Sequence, residues 1–211
     1  MASPIITFTR QYASGGSYVA GHVATRLGWT LIDNEFVDQV ARRAGLPRDE
    51  VAQLDERAPG LLERLSRTMA VASPELFITT AAVPRIEADE ATIVKLTERI
   101  IGEAAAEGRA VLVGRGAQAL LAQRPDALHV YVVAPRPFRA KVAVERLGVD
   151  RADAGKALDE IDHQRDQYVK ANYGRHRADP ANYDLVLNAE RLGFEGAAEL
   201  VVAEARRRGW K

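Results

Sequence analysis

The sequence predicts an α/β protein of three layers, a five-stranded parallel sheet covered by helices on both faces. Three observations carry this expectation. Short apolar runs rich in β-branched residues alternate with stretches of helical period along the whole chain. The runs are nearly continuous in apolar character, as strands buried on both faces are, and do not alternate apolar with polar. The first run leads through a turn of small residues into a helical pattern, "ITFTRQYASGGSYVAGHVATRLG".

The elements follow in order. "PIITFT", residues 4–9, reads as a buried first strand. Residues 16–27 read as a helix, because Val19, Val23 and Leu27 recur every four positions. "WTLID" is a second strand ending at Asp33. A long helical region runs from 35 to about 107, punctuated by Pro47, Pro59, Pro74 and Pro84. "RAVLVGRG" supplies a third strand at 110–113, stopped by glycines. "ALHVYVVAP" (127–135) is the fourth strand and "YDLVLN" (183–188) the fifth. Helices are expected at 117–122, 138–147, 152–173 and 194–207.

At 211 residues the chain suits one domain with a substantial core. It has no cysteine, which excludes disulfides, thiolate metal sites and thiol catalysis. Its formal net charge is zero, so no global field draws it to nucleic acid polymers or to a membrane surface. The opening "MASPIITFTR" lacks the features of a signal peptide, and no apolar run has the length of a membrane span, so a cytoplasmic location is expected. Arginines number 24 against 5 lysines. Genome base composition accounts for such a bias, and so does a demand for bidentate phosphate contacts.

Parallel sheets bind ligands outside the carboxyl ends of their strands. That logic puts Arg10, the 11–17 loop, Asp33 and the "GRG" at 114–116 along one edge. Gly15 and Gly16 permit a tight turn, Ser14 and Ser17 can cap the next helix, and the amides of 13–18 at a helix start form an anion cradle. Against the P-loop pattern, Arg10 stands at the first glycine, Gly15 matches the second, Gly16 replaces the lysine, and Ser17 holds the hydroxyl position that meets magnesium. The first lysine anywhere is Lys95. On spacing alone this is equally an ordinary strand-to-helix turn.

Asp33 reads either as a helix N-cap or as a ligand-facing carboxylate. Arg115, between two glycines after a buried strand, is placed for clamping an anion and not for packing. Asp159, Asp162 and Arg165 share a helix face, and their spacing alone suits a solvated face with intrahelical ion pairs. Arg175 and Arg177 lie in a Gly-flanked segment, where they either close over a ligand or are solvated. His22, His129, His163 and His176 have no metal-ligand spacing, and His129 within a strand reads as structural.

"TRQYASGGSYVAGHVATRLGWTLID" resembles the opening of the cytidylate kinase-like family, a branch of the P-loop nucleoside monophosphate kinases. The resemblance continues in "VLVGRGAQALLAQRPDALHVYVVAP", "IDHQRDQYVKANYG" and "DPANYDLVLN", and leaves out about 40–95. It implies a P-loop kinase fold with a helical acceptor-binding insertion at about 34–95 and a lid at about 150–180. It implies ATP-dependent phosphoryl transfer to a CMP- or dCMP-like nucleoside monophosphate or a related small phosphorylated acceptor, with ATP and Mg²⁺ as cofactors. Tyr12, Ala13, Ser14, Gly15, Gly16, Ser17 and Tyr18 would hold the nucleotide, with Ser17 also on the metal. Asp33, Arg115, Asp162, Arg165 and Tyr168 would bind the acceptor. Arg10, Arg115 and Arg165 would neutralise the transferring group, Arg10 standing in for the absent lysine.

The sequence departs from the family at Ala13, which is usually glycine. It departs from true cytidylate kinases at Gln39, where they carry arginine (Arg42 or Arg43 can substitute), and at Gly116, where they carry aspartate. The missing lysine, Gln39 and Gly116 favour an alternative, a nucleotide-sensing protein with a degenerate loop. A third reading takes the apolar 60–83 region as a homodimer interface.

Overall fold

The computed structural model describes residues 4–33 and 90–210. Five strands, β1 (Ile5–Arg10), β2 (Thr30–Asp33), β3 (Ala110–Val113), β4 (Ala127–Val133) and β5 (Leu185–Asn188), pair in parallel in the order β2-β3-β1-β4-β5. The described helices are α1 (Gly16–Leu27), α2 (Glu90–Glu107), α3 (Ala117–Leu120), α4 (Arg136–Leu147), α5 (Ala154–Tyr173) and α6 (Ala189–Arg207). The expected five-stranded parallel sheet is present. The expected helical stretch before Glu90, Gln39, Arg42, Arg43 and the 60–83 region lie outside the described residues.

Strand alternation creates the layers. Ile6 and Phe8 point to one face of the sheet, against Val19 and Val23 of α1 and Val201 of α6. Ile5 points to the other, against Ile100 and Ile101 of α2 and Ala117 of α3. Burying one such side chain contributes about 1.5–3 kcal/mol relative to exposure. A third cluster at the end of the sheet joins Ala13 to Val142 and Ala143 of α4 and Leu158 of α5. The loop after β1 therefore stands on the central strand, between its partners β3 and β4.

Element boundaries differ from expectation where local chemistry intervenes. The last helix begins at Ala189 because the Asn188 side chain accepts from the amides of Glu190 and Arg191. Gly193, at φ 68° and ψ 166°, breaks it, so the expected start at 194 marks only where helix resumes. The fifth strand starts at Leu185, after a 3₁₀ turn at Pro180–Asn182 capped by Asp179. Helix α4 starts earlier than expected, with Pro137 inside its first turn.

Candidate active site

The loop leaves β1 at Arg10 and enters α1 at Gly16. Ala13 (φ 57°) and Gly15 (φ 84°) are both left-handed, and together they reverse the chain. The first helical bond described runs from the Val19 amide to the Gly15 carbonyl at 3.0 Å, so the amides just before it lie ahead of the helical ladder. A Cβ on Gly15 would sit 2.1 Å from the Phe194 ring, and a Cβ on Gly16 would sit 2.4 Å from Cβ of Arg10. The missing lysine thus has a steric cause: any side chain at 16 would begin inside that of Arg10.

Neither serine caps the helix, contrary to expectation. The N-cap is Gly15, which has no side chain to offer. Ser14 is fully buried, and its hydroxyl donates to the carbonyls of Gln11 (2.9 Å) and Val132 (3.1 Å). Its amide donates to the Gln11 carbonyl, so within the expected 13–18 cradle Ser14 closes the turn instead. The Ser17 hydroxyl donates to Asp33 Oδ2 at 3.3 Å. That hydroxyl–carboxylate pair offers the hard oxygens Mg²⁺ prefers. Among the described residues no cluster of three His, Cys, Asp or Glu could hold a metal. An ion that arrives coordinated to phosphates needs only one or two such protein oxygens, so the pair fits it.

Arg10 is only 6% exposed. Its Nη2 lies 3.5 Å from Asp33 Oδ1, and a Cβ on Gly114 would meet its Nη1 at 2.1 Å. Arg115 holds a left-handed backbone (φ 48°), with its guanidinium 4.7 Å from the centre of the Tyr168 ring. Gly116 (φ 71°) lies beside Tyr173, whose ring would be 2.2 Å from a Cβ placed there. The tyrosine fills the space into which an aspartate at 116 would project.

The spacing of Asp159 and Asp162 on α5 matches that of Arg136 and Arg139 on α4. Asp159 pairs with Arg136, and Asp162 Oδ2 accepts from Arg139 Nη1 at 2.6 Å. The ion pairs expected within one helix therefore run between two. Asp162 Oδ1 also accepts the Tyr12 amide at 2.8 Å, and Arg139 Nη1 donates to the Tyr12 carbonyl at 3.3 Å. Arg177 is not solvated. It is buried, donating to the Arg10 carbonyl (2.8 Å), Asp166 (2.7 Å) and Asp162 (3.3 Å). Arg175 donates to Asn182 Oδ1 at 3.2 Å.

A cavity of about 1020 Å³ opens between the end of β1, the 114–116 turn and α5. Arg10, Arg115, Arg165 and Arg177 line it with Tyr12 and Tyr168, and no Asp or Glu is among its described lining residues. Arg165 donates to the Arg10 carbonyl at 3.3 Å and lies 5.8 Å from the Tyr12 ring centre. Tyr183 also lines the cavity. Burial pushes its phenol up to about 12, keeping it protonated, and it donates to the Arg177 carbonyl at 2.6 Å. The cavity thus brings together Arg10, Tyr12, Arg115, Arg165 and Tyr168 of the expected set. Asp162 is absent from its lining, and Asp33 and Ser17 pair beside Arg10.

Tyr18 stacks on Phe194, with ring centres 5.5 Å apart and planes 4° from parallel. Arg146 lies 5.3 Å from one ring centre and 5.2 Å from the other. Sequence reading missed Arg139, Arg146 and the buried role of Arg177. Only Arg139 left a signal, the three-residue spacing in "RPFR" that mirrors the aspartates on α5. Among the described residues no helix is long and apolar enough to cross a membrane.

No curated protein matches the sequence. An uncharacterized protein from Eubacterium ventriosum aligns with TM-score 0.67 at 19% identity, covering 95% of this chain and 97% of its own. Shikimate kinase from Bacteroides thetaiotaomicron aligns with TM-score 0.53 at 13% identity, over 96% of this chain and 98% of its own. Shikimate kinase from Acinetobacter baumannii, in complex with shikimate, gives TM-score 0.53 at 15% identity, over 99% and 96%. At these identities the likeness is one of fold. The cytidylate kinase-like family matches residues 5–191. By that match the chain belongs to the cytidylate kinase-like family, and its fold is that of nucleotide-binding kinases.

Proposed function

We propose that the protein transfers the γ-phosphoryl group of ATP to a small phosphorylated acceptor, with a CMP-like nucleoside monophosphate as the reference case. The observation that carries this is the convergence of Arg10, Arg115, Arg165 and Arg177 on one cavity beside the loop after β1. Phosphoryl transfer asks a protein for in-line positioning and for compensation of charge. An acceptor oxygen bonds to the γ-phosphorus as the bond to the ADP oxygen breaks, and ADP leaves with the electron pair.

The amides at the start of α1 suit the phosphate tail, and Arg10, Arg115 and Arg165 suit the group in transfer. Ser17 and Asp33 would hold magnesium, which supplies further charge neutralisation. The Tyr18–Phe194 plate under Arg146 suits a nucleobase, since aromatic and guanidinium planes both stack on bases. With glycine at 116, the acceptor is read through its anionic group and the Tyr168 face.

The experiment is a coupled ADP-release assay with ATP, Mg²⁺ and a panel of monophosphates, CMP and dCMP included. ADP formation that depends on one acceptor is the expected result. In Arg10→Ala, turnover with that acceptor should fall by about three orders of magnitude. Unchanged ATP affinity and turnover would remove Arg10 from the mechanism. One observation favours a second reading, a nucleotide sensor: Gly16 has no room for the lysine. A sensor would melt at higher temperature with ATP, by mass action, and release no ADP with any acceptor.

A further inference from the structure

We propose that Asp162 is a positioning residue for the nucleotide loop, the centre of an ionic clasp by which α4 and α5 hold that loop in its binding conformation, and not a contact to the acceptor. This rests on the nucleotide site proposed above.

Asp162 is absent from the cavity lining although its neighbours Ile161 and His163 are present there. Both of its oxygens are engaged elsewhere. Oδ1 takes the Tyr12 amide at 2.8 Å and Arg177 Nη2 at 3.3 Å, and Oδ2 takes Arg139 Nη1 at 2.6 Å. The same Arg139 nitrogen donates to the Tyr12 carbonyl, so both backbone groups of Tyr12 are held by one aspartate–arginine pair. Arg177 and Arg165 donate to the carbonyl of Arg10, two residues earlier.

The clasp grips the chain immediately before Ala13, whose φ of 57° an alanine adopts only at a cost. Such a conformation persists where its surroundings over-determine it. Without the carboxylate, the Tyr12 amide loses its acceptor and the buried Arg139 loses its counter-ion. The loop then relaxes, and the amides that follow it leave their register.

Two variants and two measurements test the clasp. In Asp162→Ala, the ADP dissociation constant by calorimetry should rise about tenfold or more, the range a charge-assisted hydrogen bond supplies. Exchange of the Tyr12 amide, followed by NMR without any nucleotide, should accelerate by a similar factor. Asp162→Asn keeps one acceptor oxygen but loses the charge, and should weaken ADP by a smaller factor, about threefold or more. It also carries the test if the alanine variant does not fold. ADP affinity and Tyr12 exchange both at wild-type values would overturn the proposal and return Asp162 to the acceptor. If the wild-type protein binds no ADP, the nucleotide site itself fails; Tyr12 exchange then decides the clasp alone, supporting it if accelerated and overturning it if unchanged.

Discussion

Restoring the lysine of the P-loop pattern at position 16 should damage this protein. A Cβ on Gly16 would sit 2.4 Å from Cβ and 3.1 Å from Cγ of Arg10, and 3.4 Å from Cβ of Val132. Carbon pairs prefer about 3.5–4.0 Å, so the closest contact is about 1 Å too short. The obstructing atom is not the far end of a flexible chain. It belongs to the last residue of β1, which pairs in register with Val132 of β4. Overpacking of this kind costs about 1–3 kcal/mol. Replacing a helical glycine by alanine returns up to about 1 kcal/mol. With the full return the net loss for Gly16→Ala is about 0–2 kcal/mol, and at about 2–4 °C per kcal/mol for a chain of this size, melting should fall by up to about 8 °C.

Gly16→Lys carries the same Cβ and should lose at least as much. Calorimetric melts and the ADP-release assay, run on both variants, measure the effect. A Gly16→Lys protein with an unchanged melting temperature and faster turnover would refute the steric account and make Gly16 a simple loss of a catalytic lysine.

Arg115→Gly separates function from stability. Removing a left-handed arginine returns about 1 kcal/mol, which offsets part of what its contact with Tyr168 and its other interactions contribute. Its melting temperature should therefore stay within a few degrees of wild type while turnover falls by two orders of magnitude or more, and a parallel loss of stability would make Arg115 structural. Stability should also fall on acidification. Burial lowers the pKa of His129 from its usual 6.5, so the unfolded chain takes up the proton first. The neutral ring's contribution is complete above pH 6.5 and is lost as pH falls below it toward the folded-state value, by up to about 1.4 kcal/mol per pH unit. Urea midpoints between pH 7.5 and 5 should show this slope, and His129→Gln should flatten it.

What was legible in the sequence was local. Gly16–Leu27 was readable because Val19 and Val23 recur at helical spacing and do pack on the sheet. Ala110–Val113 was readable because glycines stop an apolar run. The edge holding Arg10, Asp33 and Arg115 followed from parallel-sheet logic. What escaped was pairing over long separation. Asp162 with Tyr12 and Arg177 with Arg10 span 150 and 167 residues, and no period announces such partners. Charge spacing on α5 was visible, but only the packing of α4 against it decides whether the aspartates look along their own helix or across. Ala13 stood out as a departure from a family glycine, and the structure gives that departure its conformational meaning, a left-handed residue held by neighbours.

The unusual residues around the loop are connected through one side chain. Under the proposed function, the cation stands at the strand end instead of the helix start, with Arg10 beneath the loop. Its Cβ then occupies the space a side chain at 16 would need, and its guanidinium the space a side chain at 114 would need. Gly16 and Gly114, 98 positions apart in the chain, are both obliged by Arg10. The same relocation accounts for the Asp33 contact at 3.5 Å, which gives a nearly buried guanidinium a counter-charge. A lysine on the helix would move with the loop, whereas an arginine on the central strand moves with the sheet. The charge is then fixed by the most constrained part of the fold, and only the loop above it needs to be held. Asp162, Arg139 and Arg177 are placed to do that, so in the proposed site Arg10 in place of lysine and the clasp on Tyr12 are two parts of one arrangement. A variant that lost the clasp should therefore keep its Arg10–Asp33 pair while losing its grip on nucleotide, and a crystal structure of Asp162→Ala in which that pair had also parted would break the connection.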